Sequence, residues 1–262
     1  MLLNSVILVL REVLEAAMLI SVLLALSLSF RQRISWLWWG LGLGFLGSVL
    51  FASLLEVITD SLDGAGQEVA NASLQGLVYC LTVAVVACSQ QQAHGDSPRR
   101  VMSLLMASAV ACAMIREGSE ILVYITGFAA SQEHWGAVYA GSAMGAGIGV
   151  SLGVLLFSAL RALENDRTQF ACIVLVAMMG AGMIMQAAQL LEQVDWLPAG
   201  LPIWDSSGLL SERSIAGQLL YAVFGYEATP SSIQVALYGA SLLGMLAAYY
   251  FSRGFWSRAS EA

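Results

Sequence analysis

The sequence contains no lysine, and only 11% of its residues are charged, far below the ~25% of an ordinary soluble domain. Without lysine the chain cannot complete the G-x-x-x-x-G-K-[ST] loop that cradles nucleotide phosphates, so it does not itself hydrolyse ATP. Its 11 basic residues are all arginine, and they form no cluster of the kind that binds nucleic acid. The composition therefore favours a protein that is neither an enzyme nor a nucleic-acid binder.

Cysteine and histidine are also scarce. The four cysteines lie inside long apolar stretches and form no C-x-x-C pair, so their spacing matches neither a zinc site nor a disulfide framework. The two histidines, His94 and His134, fall in connections on opposite sides of the predicted bundle. We therefore expect no permanently bound cofactor.

Apolar residues are abundant: 58% of the chain is hydrophobic and the mean hydropathy is +0.76. Seven segments are long enough to cross a ~30 Å hydrocarbon layer as helices. We therefore predict an all-α integral membrane protein whose first segment is retained, because that segment lacks the basic region and cleavage site of a signal peptide. The predicted spans are residues 4–30, 36–58, 69–91, 101–130, 136–160, 170–193 and 232–252.

The distribution of arginine orients the predicted bundle. Alternate connections carry the arginines, whereas the other connections are acidic and contain only Arg213. The positive-inside rule then places the N-terminus outside and the C-terminus inside. An acidic outer surface would concentrate cations, although solvated loops that merely lack arginine explain the same pattern. The orienting residues are Arg31, Arg33, Arg99, Arg100, Arg161, Arg167, Arg253 and Arg258.

Two copies of one charged pattern interrupt the apolar segments. The first is Arg11-Glu12-Val13-Leu14-Glu15, and the second is Arg116-Glu117-Gly118-Ser119-Glu120. An ionisable residue at the centre of a membrane helix costs roughly 2.5 to 3.5 kcal/mol, so these groups need compensation. Two arginines leave two of the four carboxylates unbalanced. A bound metal cation is the simplest group that would supply the missing charge.

The spacing within each copy brings its charged groups together. The two glutamates are three residues apart and share a helix face, and the arginine lies four residues before the second glutamate, close enough to pair with it. Four carboxylates meeting at mid-membrane would form a hard oxygen site suited to Fe(III), Mn(II), Ca(II) or Mg(II). Two alternatives stay open: each arginine only neutralises one glutamate and locks helix packing, or the surplus carboxylates relay protons.

The two copies belong to an internal repeat. An offset of 105 residues superposes the charged patterns and also takes Gly40, Gly42 and Gly44 to glycines in the second half. The repeats cover about 1–92 and 99–195, and an odd number of crossings separates equivalent helices. We therefore predict a 3+3 inverted repeat in a single membrane transport domain, residues 1–262, with the seventh helix outside the repeat. The glycines would allow close helix packing, either between the repeats or in a dimer contact.

Other polar residues are candidates for a cation pathway. We assign Glu56, Gln186, Gln189 and Glu192 to that group, with an interfacial acid and interhelical hydrogen bonds as the alternatives. The outer loop, about 194–231, is the longest connection. Ser211 can cap a short amphipathic helix there, and we expect either an entrance lid, a partner-docking surface or an ordered cover for the bundle.

The paired Arg-Glu-x-x-Glu patterns resemble the signature of the oxidase-dependent iron permease family, the R-E-x-x-E permeases, and in particular its EfeU-like bacterial ferric iron permeases. The segment 224–231, Phe-Gly-Tyr-Glu-Ala-Thr-Pro-Ser, is similar to the G-Y-x-x-x-P segment before the last span of such proteins, and Trp204-Asp205-x-Ser207 also resembles them. The resemblance covers essentially the whole chain. The third helix departs from it, since Gln75-Gly76 stands where relatives often carry Glu-Gly.

The resemblance implies high-affinity uptake of iron, as Fe(III) or Fe(II), across the bacterial cytoplasmic (inner) membrane. The partners it implies are iron ions, the lipid bilayer and an extracytoplasmic oxidase, peroxidase or iron-binding protein; a homo-oligomer stays open. The alternatives are a permease for Pb(II) or another divalent metal, and a non-transporting membrane metal sensor or assembly subunit. The implied metal ligands are Glu12, Glu15, Glu117 and Glu120, with Arg11 and Arg116 as supporting charges.

Overall fold

The computed structural model describes residues 2–93, 99–129, 135–198, 200–211 and 214–259. Within these ranges the chain forms nine α-helices, and a short 3-10 turn, Ser61–Gly64, joins the third to the fourth. The helices are α1 Leu2–Ser29, α2 Ser35–Ser53, α3 Leu55–Asp60, α4 Gly66–Ala93, α5 Arg99–Ala129, α6 Trp135–Arg161, α7 Asn165–Gln193, α8 Ile215–Phe224 and α9 Ser232–Ala259.

Six of the described helices are long and apolar enough to cross a membrane, so the chain is a multi-pass membrane protein. The prediction of an all-α membrane fold is confirmed at this level. The 28-residue helix α1 is not among the six, and its crossing stays a prediction. The six candidate spans are Ser35–Ser53, Gly66–Gln90, Arg99–Phe128, Trp135–Arg161, Asn165–Gln193 and Ser232–Ser252.

The predicted second span, 36–58, is wrong at its end because α2 stops at Ser53. The backbone N–H of Leu54 is shared between the carbonyl groups of Leu50 and Phe51, at 3.0 and 3.2 Å, a bifurcated geometry that is common at helix ends. The chain then continues as the short helix α3 and the 3-10 turn. Because the residues after the break are still apolar, hydropathy gives no sign of it.

Helices α1 and α5, which carry the two charged patterns, run antiparallel. At one end the hydroxyl groups of Ser5 and Tyr124 lie 2.7 Å apart. At the other end Ser103 donates a hydrogen bond of 3.3 Å to Gln32, just beyond the end of α1. The charged patterns lie between these two contacts. The start of one helix is therefore beside the end of the other, and the charged residues face each other across the pair.

Glycine allows two pairs of helices to approach closely, α1 with α6 and α2 with α5. A Cβ atom added at Gly145 of α6 would lie 2.5 Å from the carbonyl oxygen of Val6, and one at Gly44 of α2 would lie 2.5 Å from the Cβ of Met114. Such distances leave no room for a side chain. These glycines are therefore used for packing within one chain. The other glycines in close contact across these two pairs are Gly40, Gly47, Gly118, Gly141, Gly149 and Gly153.

A dry apolar core lies on one side of the charged residues. It occupies the second half of α1 and the first half of α5, and side chains from α2, α4, α6, α7 and α9 complete it. Dense packing of this kind leaves few voids that water could enter. The core therefore closes the bundle between the charged residues and the end where α1 terminates. Its fully buried members include Leu19, Leu23, Leu26, Met102, Met106, Val176 and Met245.

The long loop after α7 contains the expected short helix, α8, but the predicted cap is wrong. Ser214, not Ser211, caps α8, since its hydroxyl oxygen accepts a hydrogen bond of 3.0 Å from the backbone N–H of Gly217. The helix ends at Gly225, whose φ of 66° lies in the left-handed region that suits glycine. A Cβ atom at Gly182 of α7 would lie 2.8 Å from the backbone nitrogen of Gly225, so α8 is anchored directly on α7.

The α1–α6 contact predicts opposite effects for two alanine substitutions in the same helix. Gly145→Ala forces a methyl group against the backbone of α1, so we expect a loss of about 1 to 3 kcal/mol in the free energy of unfolding. Gly147→Ala is the matched control: no atom lies within 4 Å of its added methyl, and alanine gains about 0.5 to 1 kcal/mol over glycine in a helix. Denaturant titration of both purified variants measures this. Equal stabilities would contradict the close packing.

Candidate metal site

Three glutamates from the two charged patterns form one buried cluster. Glu12 and Glu15 lie one turn apart on α1, and Glu117 approaches them from α5. One carboxylate oxygen from each lies within 4.8 Å of the others, and all three side chains are buried. Because Glu12 and Glu15 are three residues apart, both side chains lie on the face of α1 that packs against α5. The result is a set of oxygen atoms from two helices around one point.

The fourth glutamate of the motif, Glu120, lies at the edge of this cluster. Its side chain is 26% exposed, and its Oε2 atom lies 3.9 Å from Nη2 of Arg11. Asn71 of α4 donates a hydrogen bond of 3.3 Å to its Oε1 atom. The structure therefore brings all four motif glutamates together, with three in the interior and Glu120 between the interior and water.

Arg116 links the two helices through the carboxylates. Its Nη1 atom lies 3.0 Å from Glu15 on α1 and 2.6 Å from Glu117 on α5, and its Nε atom lies 3.6 Å from Glu120. The arginine is itself buried. Removing one partner from a buried ion pair typically costs 3 to 5 kcal/mol, because the remaining charge is left uncompensated. This contact therefore couples the position of α1 to that of α5.

Arg11 does not form the predicted pair with Glu15. Its Nε and Nη2 atoms donate to Oε1 of Glu12 at 2.9 and 2.5 Å, and its guanidinium lies 5.8 Å from the ring centroid of Tyr221. Glu15 instead turns towards α5 and pairs with Arg116. Spacing along one helix could not predict this change of partner, because Arg116, which pairs with Glu15, comes from the other repeat.

Each of the three buried carboxylates keeps one oxygen atom without a hydrogen-bond donor among the described residues. These atoms are Oε2 of Glu12, Oε1 of Glu15 and Oε2 of Glu117. An acceptor buried without a partner costs about 1 to 3 kcal/mol, and more when it is charged. A cation bound among the three carboxylates would supply a partner for oxygen atoms of this kind. Carboxylate oxygen is also the donor that hard cations prefer, so the residues present fit such an ion.

The cluster borders a polar cavity of about 400 Å³ between α1, α5, α7 and α8. Two of the predicted pathway residues lie on its wall, Gln186 and Gln189. Gln186 accepts a hydrogen bond of 2.6 Å from Gln75 of α4. Gln189 accepts one of 3.0 Å from the hydroxyl group of Tyr221. The cavity is also lined by Arg11, Arg116, Glu120, Leu190 and Gln193.

A second cavity of about 350 Å³ reaches the cluster from the side of α3 and α4. Glu12, Asn71 and Glu68 line it, and Arg11 and Glu120 border both cavities. Glu120 therefore stands where the two spaces approach the buried carboxylates. Both cavities lie on the side of the cluster opposite the apolar core.

Two of the predicted pathway residues lie elsewhere. Glu56 is exposed on the short helix α3 and lines neither cavity. Glu192 accepts hydrogen bonds from Ser231, at 2.6 Å, and from Gln234, at 2.8 Å, so it ties the end of α7 to the start of α9. The structure does not bring either residue to the cluster.

Sequence reasoning missed three residues at the site. Asn71 contacts Glu120, Tyr221 lies beneath Arg11, and Glu68 lines the second cavity with its Oε2 atom buried and without a hydrogen-bond partner among the described residues. A polar residue inside the third predicted span was a usable signal for Asn71. No sequence signal pointed to Tyr221, because α8 reaches α1 only when the loop is folded.

Comparison with known proteins gives one curated relative and one family model that cover most of the chain. The chain is 24% identical over 261 residues to an uncharacterized protein of Archaeoglobus fulgidus, and the match covers 93% of this chain and 94% of the relative. No solved structure gives a significant match. The Iron permease FTR1 family matches residues 2–254. The chain therefore belongs to the iron permease FTR1 family, whose members are membrane transporters and not enzymes.

Proposed function

We propose that this iron permease takes up Fe(III) across the cytoplasmic membrane through the cluster of Glu12, Glu15, Glu117 and Glu120. The observation that carries the proposal is the set of three buried carboxylates from α1 and α5, each with one oxygen free of hydrogen-bond donors. Burying such a set in an apolar bundle costs free energy, so its presence indicates a function. Membership of an iron permease family supports iron as the cation that this set would bind.

The ligand chemistry favours a hard, highly charged ion. The cluster offers carboxylate oxygen, with neither thiolate nor imidazole among its described members, and this suits ferric iron better than a soft cation. Four carboxylates against two guanidinium groups leave a formal charge of minus two when all are ionised. A cation that enters the cluster therefore replaces an unfavourable excess of negative charge with a favourable interaction.

The arginines set the strength of binding. Arg11 and Arg116 already hold one oxygen of each interior carboxylate, so the side chains keep their geometry when no cation is present. They also reduce the negative charge that the ion meets. A transport site must bind well enough to admit an ion and weakly enough to release it. The guanidinium groups meet both requirements in this proposal.

The packing supports alternating access by two related halves. Under the 105-residue offset, α1 corresponds to α5 and α2 to α6, so the close contacts of α1 with α6 and of α2 with α5 are equivalent. That equivalence is expected of an inverted repeat with its substrate site at the interface of the halves. Both cavities lie on one side of the cluster and the dry core lies on the other. Uptake then requires the core side to open while the cavity side closes.

The surroundings of α1 support its crossing as a seventh span. It packs against α5, α6, α7 and α8, so its charged residues face protein and not lipid. Intramembrane ionisable residues are tolerated in this arrangement. Seven crossings place the two termini on opposite sides, and the arginine pattern puts the N-terminus outside. The cavities then face the exterior of a bacterial cytoplasmic membrane, from which an oxidase or iron-binding partner would deliver iron.

Helix α8 is the proposed entrance element. Tyr221 forms part of the cavity wall, and its hydrogen bond to Gln189 continues to Glu227, which accepts a bond of 3.1 Å from the amide of that glutamine. The loop thereby places a carboxylate one contact away from the cavity. Asp205, in contrast, is exposed and accepts a local hydrogen bond of 2.9 Å from the backbone of Ser207. Two other acids of the outer connections, Glu133 and Glu212, lie outside the described residues.

Substituting the cluster glutamates tests the metal site directly. Glu12→Gln, Glu15→Gln and Glu117→Gln each keep the side-chain volume but remove a charged ligand, so we expect iron uptake to fall at least tenfold, the range that loss of even an indirect ligand contact produces. Glu120→Gln should act mainly at limiting iron, because this residue stands at the rim. Radiolabelled Fe(III) and Fe(II), supplied to proteoliposomes, measure both effects and identify the accepted redox state.

Glu56→Gln is the matched control for these variants, since it removes an exposed carboxylate away from the cavities. We expect its uptake to equal that of the wild type. Unchanged flux in the three interior variants, with normal membrane insertion, would refute the metal site. Binding of iron without flux in the wild type would favour a sensor, and preferred uptake of Pb(II) in competition would favour a different cargo.

The entrance role predicts a difference between two acids of the outer loop. Glu227→Gln keeps an acceptor for Gln189 but removes the charge near the cavity, so the iron concentration giving half-maximal uptake should rise severalfold with little change in maximal rate. Asp205→Asn likewise keeps an acceptor for Ser207 and should leave uptake unchanged. Uptake curves for both variants at low ionic strength make the comparison. Identical curves would remove the loop from the pathway.

A further inference from the structure

A third cavity lies at the opposite end of the bundle from the carboxylate cluster. It is an open cavity of about 440 Å³, bordered by the connection after α1, the start of α2 and the first turns of α5. Four arginines line it: Arg31, Arg33, Arg99 and Arg100. Since the dry core separates it from the carboxylates, its chemistry is independent of the transported ion.

The four guanidinium groups have no carboxylate to balance them among the described residues. The ion pairs among the described residues lie in the carboxylate cluster and between Arg167 and Glu164. All four side chains are exposed, so water screens much of their mutual repulsion, and an anion between them would remove the rest. Arginine is also the side chain best shaped to hold a phosphate, because its planar fork donates two parallel hydrogen bonds.

A buried amide at the cavity wall gives independent support for a ligand. Gln32 lines the cavity and is only 6% exposed. Its Oε1 atom accepts a hydrogen bond from Ser103, but its Nε2 atom has no partner among the described residues. Buried amide donors are almost always hydrogen-bonded, so an unpaired one needs an explanation. An acceptor oxygen inside the cavity supplies that partner.

The backbone at Arg31 shows that an arginine is held there at a cost. The N–H of Gln32 bonds to the carbonyl of Ser27 and that of Arg31 to Leu28, which is the Schellman pattern at a helix end. Arg31 occupies the left-handed position of this motif, with φ of 53°, where glycine is strongly preferred. The guanidinium group therefore stands where the fold alone would favour glycine.

The cavity is amphiphilic. Beside the arginines its wall contains Trp39 and Leu104, which are 70% and 67% exposed on helices that are candidate membrane spans. Tryptophan at such a position is typical of the membrane interface. A ligand that fills this space has an anionic group at one end and an apolar chain at the other, and free phosphate satisfies only the first requirement.

We infer that this cavity binds an anionic phospholipid, with the phosphate between the four arginines and an acyl chain along Trp39 and Leu104. Basic pockets between membrane helices are known to hold anionic headgroups. The bound lipid contacts both α1–α2 and α5, so it joins the two halves of the bundle at the closed end. Inorganic phosphate shares the headgroup chemistry, and the experiment separates the two sources.

The test is native mass spectrometry of the purified full-length protein, titrated with phosphatidylglycerol, with phosphatidylcholine, and with phosphatidylglycerol plus inorganic phosphate. We expect saturable binding of phosphatidylglycerol at least tenfold tighter than of phosphatidylcholine, with no displacement by millimolar phosphate. The double variant Arg99→Gln/Arg100→Gln should weaken this binding roughly tenfold or more, since it removes two headgroup contacts. Gln32→Leu should weaken it severalfold.

Two further variants keep the outcome independent of folding. Arg161→Gln/Arg167→Gln removes the same number of arginines outside the cavity and should bind lipid like the wild type. Arg31→Gly suits the left-handed backbone, so it should melt no lower than the wild type in lipid-free detergent yet bind phosphatidylglycerol more weakly. Equal binding of the two lipids, equal loss in the control variant, or displacement by inorganic phosphate would each overturn the proposal.

Discussion

The structure depends on holding a set of carboxylates in fixed positions inside an apolar bundle. Arg116 meets that constraint by bridging Glu15 of α1 and Glu117 of α5, while Arg11 holds Glu12. Because each arginine occupies only one oxygen of its partner, the cluster is ordered without being saturated. The same contacts that make the charges tolerable thus leave open the oxygen atoms that a cation needs.

The remainder of the fold supports this cluster from outside. Glycine lets α6 pack closely against α1 and α2 pack closely against α5, so each of the two helices that carry the carboxylates is held by a neighbour. The apolar core seals one side, and the polar cavities lead to the cluster from the other. A site that is ordered, partly desolvated and accessible from one side is what a carrier needs when it is ready to receive its substrate.

Much of this arrangement could be predicted from the sequence. Hydropathy located every long helix, because a membrane span is fixed by its length and apolar character, although three predicted ends differ from the observed ends by five to seven residues. Helical spacing predicted that the glutamates converge. It could not predict that Glu15 pairs with the arginine of the other repeat, that α2 ends at Ser53, or that Tyr221 reaches Arg11. Those features depend on contacts between distant segments, which local patterns do not contain.

The measurement that tests the central claim most directly is the location of bound iron by anomalous X-ray scattering from the purified, iron-loaded protein. The account predicts one strong iron peak between α1 and α5, with ligand density from Glu12, Glu15 and Glu117 and with Arg116 still linking the two helices. An iron peak only at the acidic outer loop, with the interior carboxylates unchanged, would contradict it. The result does not depend on energy coupling, on the partner protein or on the rate of transport.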